Sequence, residues 1–152
     1  MHYSFSASSF HDYWISTQNK VASFLAEPLN EELAIECASK LWHLCDWYYQ
    51  ENKSTLKYNQ LSDLQGVVGN DCFSLRVMRD ICNGSKHASL EKTRTPVIRK
   101  AQNHKGAFSS GFSYGFDISV LEVELMDGSI VDFENSVKLS LDYWVKKFSL
   151  SK

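Results

Sequence analysis

The chain is short of proline, of paired cysteines, of net charge and of long apolar runs, and each shortage removes a class of protein. Only two prolines occur in 152 residues, a composition that does not belong to a fibrous or disordered chain. The four cysteines, Cys37, Cys45, Cys72 and Cys82, form no C-x-x-C pair, which excludes zinc knuckles and thioredoxin-type motifs. They read as reduced, mostly buried thiols, and that reading favours the cytoplasm. Sixteen basic against eighteen acidic residues give a net charge of −2, so no overall field draws the protein onto nucleic acid or anionic lipid. Binding to either needs a local patch. No window approaches the ~18 apolar residues of a membrane span. The stretch Met1 to Ser6 lacks a basic region followed by an apolar core, so neither membrane insertion nor export is expected.

What is present is a large apolar complement. Hydrophobic residues make up 43% of the chain and aromatics 13%, with four Trp and nine Phe, enough for one core in a single helix-rich domain spanning 1–152. Ser9 and Asp12 suit the start of a first helix that ends at Pro28. Asn30, followed by Glu31 and Glu32, suits the start of a second running to about Gln50. On this second helix Ala34, Cys37, Ala38, Leu41, Leu44, Cys45 and Tyr48 form one apolar face, while Trp42, Trp47 and Tyr49 project elsewhere. It is expected at the centre of the fold.

Residues 51–70 read as a polar connection with one short helical turn. A third helix then starts at Asn70 or Asp71 and stops at Gly84, the residue best suited to a left-handed C-cap. Beyond Pro96 the pattern changes. Residues 97–102 read as a strand and 104–116 as an aromatic, Gly-rich loop. Ile118 to Met126 reads as a second strand that turns at Asp127-Gly128, a two-residue hairpin signal, into a third at Ile130–Phe133. A last helix from about Glu134 carries Val137, Leu141, Trp144, Val145 and Phe148. The expected fold class is α+β: mainly a bundle of about four helices, with a small antiparallel hairpin or sheet inserted before the last. Leu41, Cys45, Met78, Val123, Leu141 and Trp144 should share one core.

The most specific chemistry lies at the end of the third helix. Arg76, Arg79, Asp80 and Asn83 recur at three- to four-residue spacing, which puts them on one face opposite Leu75, Met78 and Cys82. Lys86 and His87 follow Gly84. If the chain keeps its direction there, two guanidiniums, an amide, an ammonium and an imidazole converge. Arg offers paired donors, Lys a point charge and His a proton near neutral pH, a set suited to phosphate. The same residues also have a plain structural use: Asn83-Gly84 as a helix cap, Arg79 and Asp80 as ion-pair partners of other helices, and Lys86-His87 as cations at the negative end of the helix.

The Arg79…Asn83…His87 run resembles the Arg-x4–6-His signature of HEPN-like helical domains, although seven residues separate Arg79 from His87. That superfamily includes metal-independent ribonucleases acting as dimers, and non-catalytic binding modules. The resemblance implies Arg79 as phosphate stabiliser, His87 as general acid/base, Asn83 as an orienting residue, and RNA or another phosphate-containing ligand bound by a homodimer. Arg76, Arg79 and Lys86 would be the anion-binding set. The whole-chain layout, with its Trp-rich second helix, Asn-Gly-Ser-Lys-His segment and hairpin before a Trp-containing last helix, is similar to a family of small bacterial proteins. That likeness implies no particular activity.

Two further constellations have binding chemistry. His43 and Asp46, three apart on the second helix, could join His87 around a metal. Only two ligands are local and no H-E-x-x-H occurs, so a hydrogen-bonded histidine is preferred and no metal is assigned. Phe108, Phe112 and Tyr114 with Lys105 could stack a flat ligand, or plug the loop against the bundle, which is the favoured reading. No nucleotide fingerprint or acyl-transfer motif occurs, so no cofactor is assigned. The sequence therefore points to a small binding or interaction module with an anion-binding patch. The alternative is an RNA-binding or RNA-cleaving domain.

Overall fold

The structure, a computed structural model, describes residues 7–91, 93, 95–104 and 120–151. Five helices, α1 (Phe10–Ala26), α2 (Glu31–Asn52), α3 (Leu61–Asp71), α4 (Phe73–His87) and α5 (Phe133–Lys147), pack with three strands, β1 (Ile98–His104), β2 (Val120–Leu125) and β3 (Ile130–Asp132). The strands form one antiparallel sheet in the order β1-β2-β3. The fold is α+β and mostly helical. Among the described residues no helix is long and apolar enough to cross a membrane.

Three helix starts follow directly from side-chain chemistry. The side chains of Ser9, Asn30 and Asp132 accept from the backbone N–H of Asp12, Leu33 and Glu134 at 3.1, 3.1 and 2.8 Å. Each satisfies an amide that the first turn leaves without a partner. Helix α2 packs against all four other helices. Its Cys37, Ala38, Leu41, Leu44 and Cys45 are fully buried, and they join Met78, Val123 and Trp144 in one core, with Leu141 packed against it. The expected core is therefore the observed one. Trp144 also donates its indole N–H to the Leu41 carbonyl at 3.1 Å, so the last helix is hydrogen-bonded as well as packed onto α2.

Three local expectations need correction. The segment read as a connection contains the eleven-residue helix α3, whose Leu64 and Val68 enter the core. A sharp joint at Cys72 (φ −135°, ψ 99°) separates it from α4, where one helix had been expected to begin. Second, α4 does not stop at Gly84. It continues to His87, and Ala88 takes the left-handed conformation (φ 57°, ψ 15°) instead. Glycine permits a helix stop without requiring one. A Cβ added at Gly84 would meet Leu90 at 3.6 Å, an ordinary contact, so no close approach demands glycine here. Third, the hairpin turn has three residues. Leu125 pairs with Ser129, Gly128 N–H donates to the Leu125 carbonyl at 2.9 Å, and only Gly128 has positive φ (+89°). That is a type I turn closed by a left-handed glycine, the common three-residue hairpin.

Strand β2 alternates as expected, with Leu121, Val123 and Leu125 buried. The aromatic loop assigned to 104–116, with Lys105, Phe108, Phe112 and Tyr114, lies almost wholly outside the described residues.

Candidate functional site

Arg76, Arg79 and Asn83 occupy successive turns of α4 and face a common open cleft of about 800 Å³. Helix α2 lines it as well, through Trp42, His43 and Asp46. Helix α3 contributes Gln65, Gly66, Gly69 and Asn70, and Thr93 and Thr95 close one side. Such a volume is that of a small-molecule site, which is usually mostly apolar; this lining is mostly polar and suits a polar or charged ligand.

Each α4 side chain is held by neighbours. Arg76 Nε donates to the Gly69 carbonyl at 2.9 Å and its Nη2 to Asn70 Oδ1, which lays the guanidinium across the end of α3. Arg79 donates through Nε to Asp80 Oδ1 at 2.9 Å and through Nη2 to the Thr95 carbonyl at 3.0 Å. Asn83 donates to Thr93 Oγ1 at 3.0 Å. The donors are thus fixed before any ligand arrives, and little rotamer freedom is left to lose on binding.

The expected face of α4 is divided by this packing. Asp80 does not share the cleft: it is fully buried, and its Oδ2 accepts the backbone N–H groups of Val97 and Ile98 at 2.6 and 3.0 Å. The chain leading into β1 crosses over Asp80 and removes it from the polar face. Lys86 and His87 are exposed in the last turn of α4 and do not line the cleft. Because the helix persists past Gly84, His87 stands eight residues beyond Arg79, about 12 Å along the axis at 1.5 Å per residue. The chain does keep its direction past Gly84, yet the five groups do not converge, because Lys86 and His87 fall a further turn along the helix, outside the cleft. The expected set of Arg79, Asn83 and His87 is accordingly split, with Arg79 and Asn83 in the cleft and His87 beyond it.

Ser39, His43 and Asp46 lie along one stripe of α2, of which His43 and Asp46 line the cleft. Ser39 Oγ meets His43 Nδ1 at 3.1 Å, which fixes the ring. Asp46 is half-buried, and its Oδ1 is buried without a hydrogen-bond partner. Burial pushes its carboxyl above the ordinary range, and nearby His43 opposes this in part. Among the described residues no three His, Cys, Asp or Glu side chains gather as a metal site, so His43, Asp46 and His87 are not brought together. From the sequence His43 reads as a hydrogen-bonded histidine in preference to a metal ligand, and its contact with Ser39 agrees with that. The spacing of His43 and Asp46 from Ser39 at four and seven residues was the available sign of a separate polar stripe. Gln65 and Asn70 were missed because their helix was missed.

Comparison with protein-family models, with curated proteins and with solved structures gives no match.

Proposed function

We propose that this domain is a binding module whose cleft between α2, α3 and α4 takes a phosphate-bearing ligand. The observation that carries the reading is the pair of guanidiniums, Arg76 and Arg79, on the α4 side of a polar cleft large enough for a small molecule, whose other ionisable lining groups are His43 and Asp46. Arg79 is balanced by Asp80. Arg76, bonded among the described residues to the neutral oxygens of Gly69 and Asn70, is the main attraction for an anion, with Asn83 as a neutral donor. Placement in the cytoplasm belongs to the same proposal and draws support from four free cysteines.

The test is titration of the protein with inorganic phosphate and pyrophosphate. Binding should weaken as salt rises, and Arg76→Ala should lose most of it. Gly66→Leu offers a charge-independent control: Gly66 lines the cleft, and a side chain there meets nothing within 4 Å. The leucine should obstruct the cleft while leaving the fold intact. Absence of binding by the wild type rejects the proposal. The RNA-cleaving alternative predicts something different: cleavage of single-stranded RNA in the presence of chelator, lost in His87→Ala with binding retained. Binding is preferred over cleavage because His87 stands outside the cleft that holds Arg79 and Asn83.

A further inference from the structure

Helix α3 carries its weakest helix formers where it lines the cleft. Leu64 and Val68 enter the core and Leu61 packs against it, whereas Ser62, Gln65, Gly66, Gly69 and Asn70 line the cleft. Glycine is the poorest helix former after proline, and serine and asparagine side chains compete for the helical backbone. A Cβ at Gly69 would stand 3.4 Å from Arg76 Cγ and Nε, so the Arg76 side chain lies on bare backbone there. Gly66, about one turn away, has neither a positive φ nor any atom within 4 Å of its Cβ position. Neither backbone conformation nor packing calls for glycine at 66, and its effect is to leave room in the cleft.

The groups around that room are neutral and of both hydrogen-bonding senses. An ionised phosphate oxygen only accepts, so a phosphate alone would use donors alone. Asn70 suits it: its Oδ1 is taken by Arg76, which leaves the amide N–H groups to donate. Asn83, however, gives an N–H to Thr93 Oγ1 and keeps a carbonyl oxygen that accepts, while Gln65 carries donors and an acceptor together. Thr93, having accepted from Asn83, keeps its hydroxyl proton to give. Hydroxyl groups match such a mixed set, because each one both gives and takes a hydrogen bond. The cleft of about 800 Å³ also has space for an organic body beyond the phosphoryl group. Its aromatic lining residue, Trp42, is buried in the core, so the lining offers no open ring on which a base would stack.

We infer that the ligand of this cleft is a sugar phosphate, its phosphoryl group at Arg76 and its hydroxyls on the side chains of Gln65, Asn70, Asn83 and Thr93. The inference rests on the proposed phosphate site and adds the class of the remainder of the ligand. Neutral amides and hydroxyls then set the preference among phosphate compounds, and Arg76 supplies the attraction they share.

The experiment is calorimetric titration of the wild type and of Gln65→Leu with inorganic phosphate, propyl phosphate, glycerol 3-phosphate, glucose 6-phosphate, AMP and O-phosphoethanolamine. Propyl phosphate and glycerol 3-phosphate share a three-carbon chain and differ in two hydroxyls. The wild type should bind propyl phosphate about as it binds phosphate, glycerol 3-phosphate roughly 5- to 10-fold tighter, and glucose 6-phosphate roughly 10- to 100-fold tighter, the gain expected from two or three neutral hydrogen bonds. Gln65→Leu, which keeps the bulk and removes the amide, should bind phosphate as the wild type does and lose roughly 3- to 10-fold for glucose 6-phosphate. Equal binding of phosphate and glucose 6-phosphate by the wild type overturns the inference and leaves the phosphate site standing. Binding of no phosphate compound overturns both. Tightest binding of AMP, of propyl phosphate or of O-phosphoethanolamine overturns it as well, since a base, an apolar chain or an ammonium would then decide the class. An unchanged preference in Gln65→Leu overturns the placement of the hydroxyls on these amides. The comparison of propyl phosphate with glycerol 3-phosphate needs no variant, so the inference stays testable if Gln65→Leu folds poorly.

Discussion

Arg79 lies against the carboxylate of its own neighbour, Asp80, with Nε and Nη2 both 2.9 Å from Oδ1. Consecutive residues of a helix point about 100° apart, so this pairing requires the long guanidinium to bend back towards the buried side. The result is a charge pair with one member fully buried and the other mostly so. The second oxygen of Asp80 holds the chain at Val97 and Ile98. Asp80→Ala should therefore cost about 3–5 kcal/mol, since it leaves Arg79 and two backbone amides without their acceptor. Hydrogen exchange supplies the specific check: the amides of Val97 and Ile98 should lose protection before those of the α2 core. Unchanged protection would reject the clamp.

Leu41 is fully buried at the centre of α2. Leu41→Ala should destabilise the protein by ~2–5 kcal/mol, from lost burial and the cavity left behind. Chemical denaturation should show an earlier midpoint with an unchanged slope.

Gly128 closes the hairpin with φ +89°. Valine there should cost ~1–2 kcal/mol or more, because its branched side chain crowds the backbone in that conformation. The loss should appear in melting temperature, with ligand binding in the distant cleft unaffected.

All four thiols are pushed up by burial, Cys37 to about 12. At pH 7 they should be almost wholly protonated and slow towards disulfide reagents. Cys72, the half-buried one, should react first in the native protein, and the remaining three only on unfolding. Rapid native modification of Cys37 would contradict the packing of α2.

The raised Asp46 carboxyl gives a pH dependence of known sign. In the interval above its ordinary value of 3.8 and below its raised value, the folded protein holds a proton that the unfolded chain has released. Stability from this group is thus fully present at lower pH and is lost as pH rises through the folded value. His43 on the same helix, Tyr13 on α1 and Cys82 on α4 share its surroundings. The difference between wild type and Asp46→Asn isolates the carboxyl from them: the wild type should lose ground to the variant as pH increases, and a constant difference would remove the assignment.

Much of this fold is legible because helix starts and apolar periodicity are local. Ser9 and Asn30 cap their own helices within three residues, and Leu121, Val123 and Leu125 alternate along one strand. Helix α3 was obscured because Leu61, Leu64 and Val68 keep helical spacing amid polar residues and two glycines, so the breakers outweighed a weak period. The site was harder to read for a different reason. Arg76, Arg79 and Asn83 do share a face, but Asp80 leaves that face only because residues 97 and 98, distant in sequence, fold over it. His43 and Asp46 become part of a cleft only when α4 lies opposite α2. Neither relation has a local signal.

The hydrogen bond from Trp144 to the Leu41 carbonyl joins residues 103 positions apart. During synthesis the helices α1 to α4 emerge well before α5, so they must wait with the Leu41 side of α2 uncovered by its final partner. Closing the core is therefore a late event that joins distant parts of the chain. A nascent chain halted before residue 133 should remain protease-sensitive and attractive to chaperones. Release of α5 from the ribosome, more than the earlier formation of any single helix, would then mark the moment at which this protein becomes a stable domain.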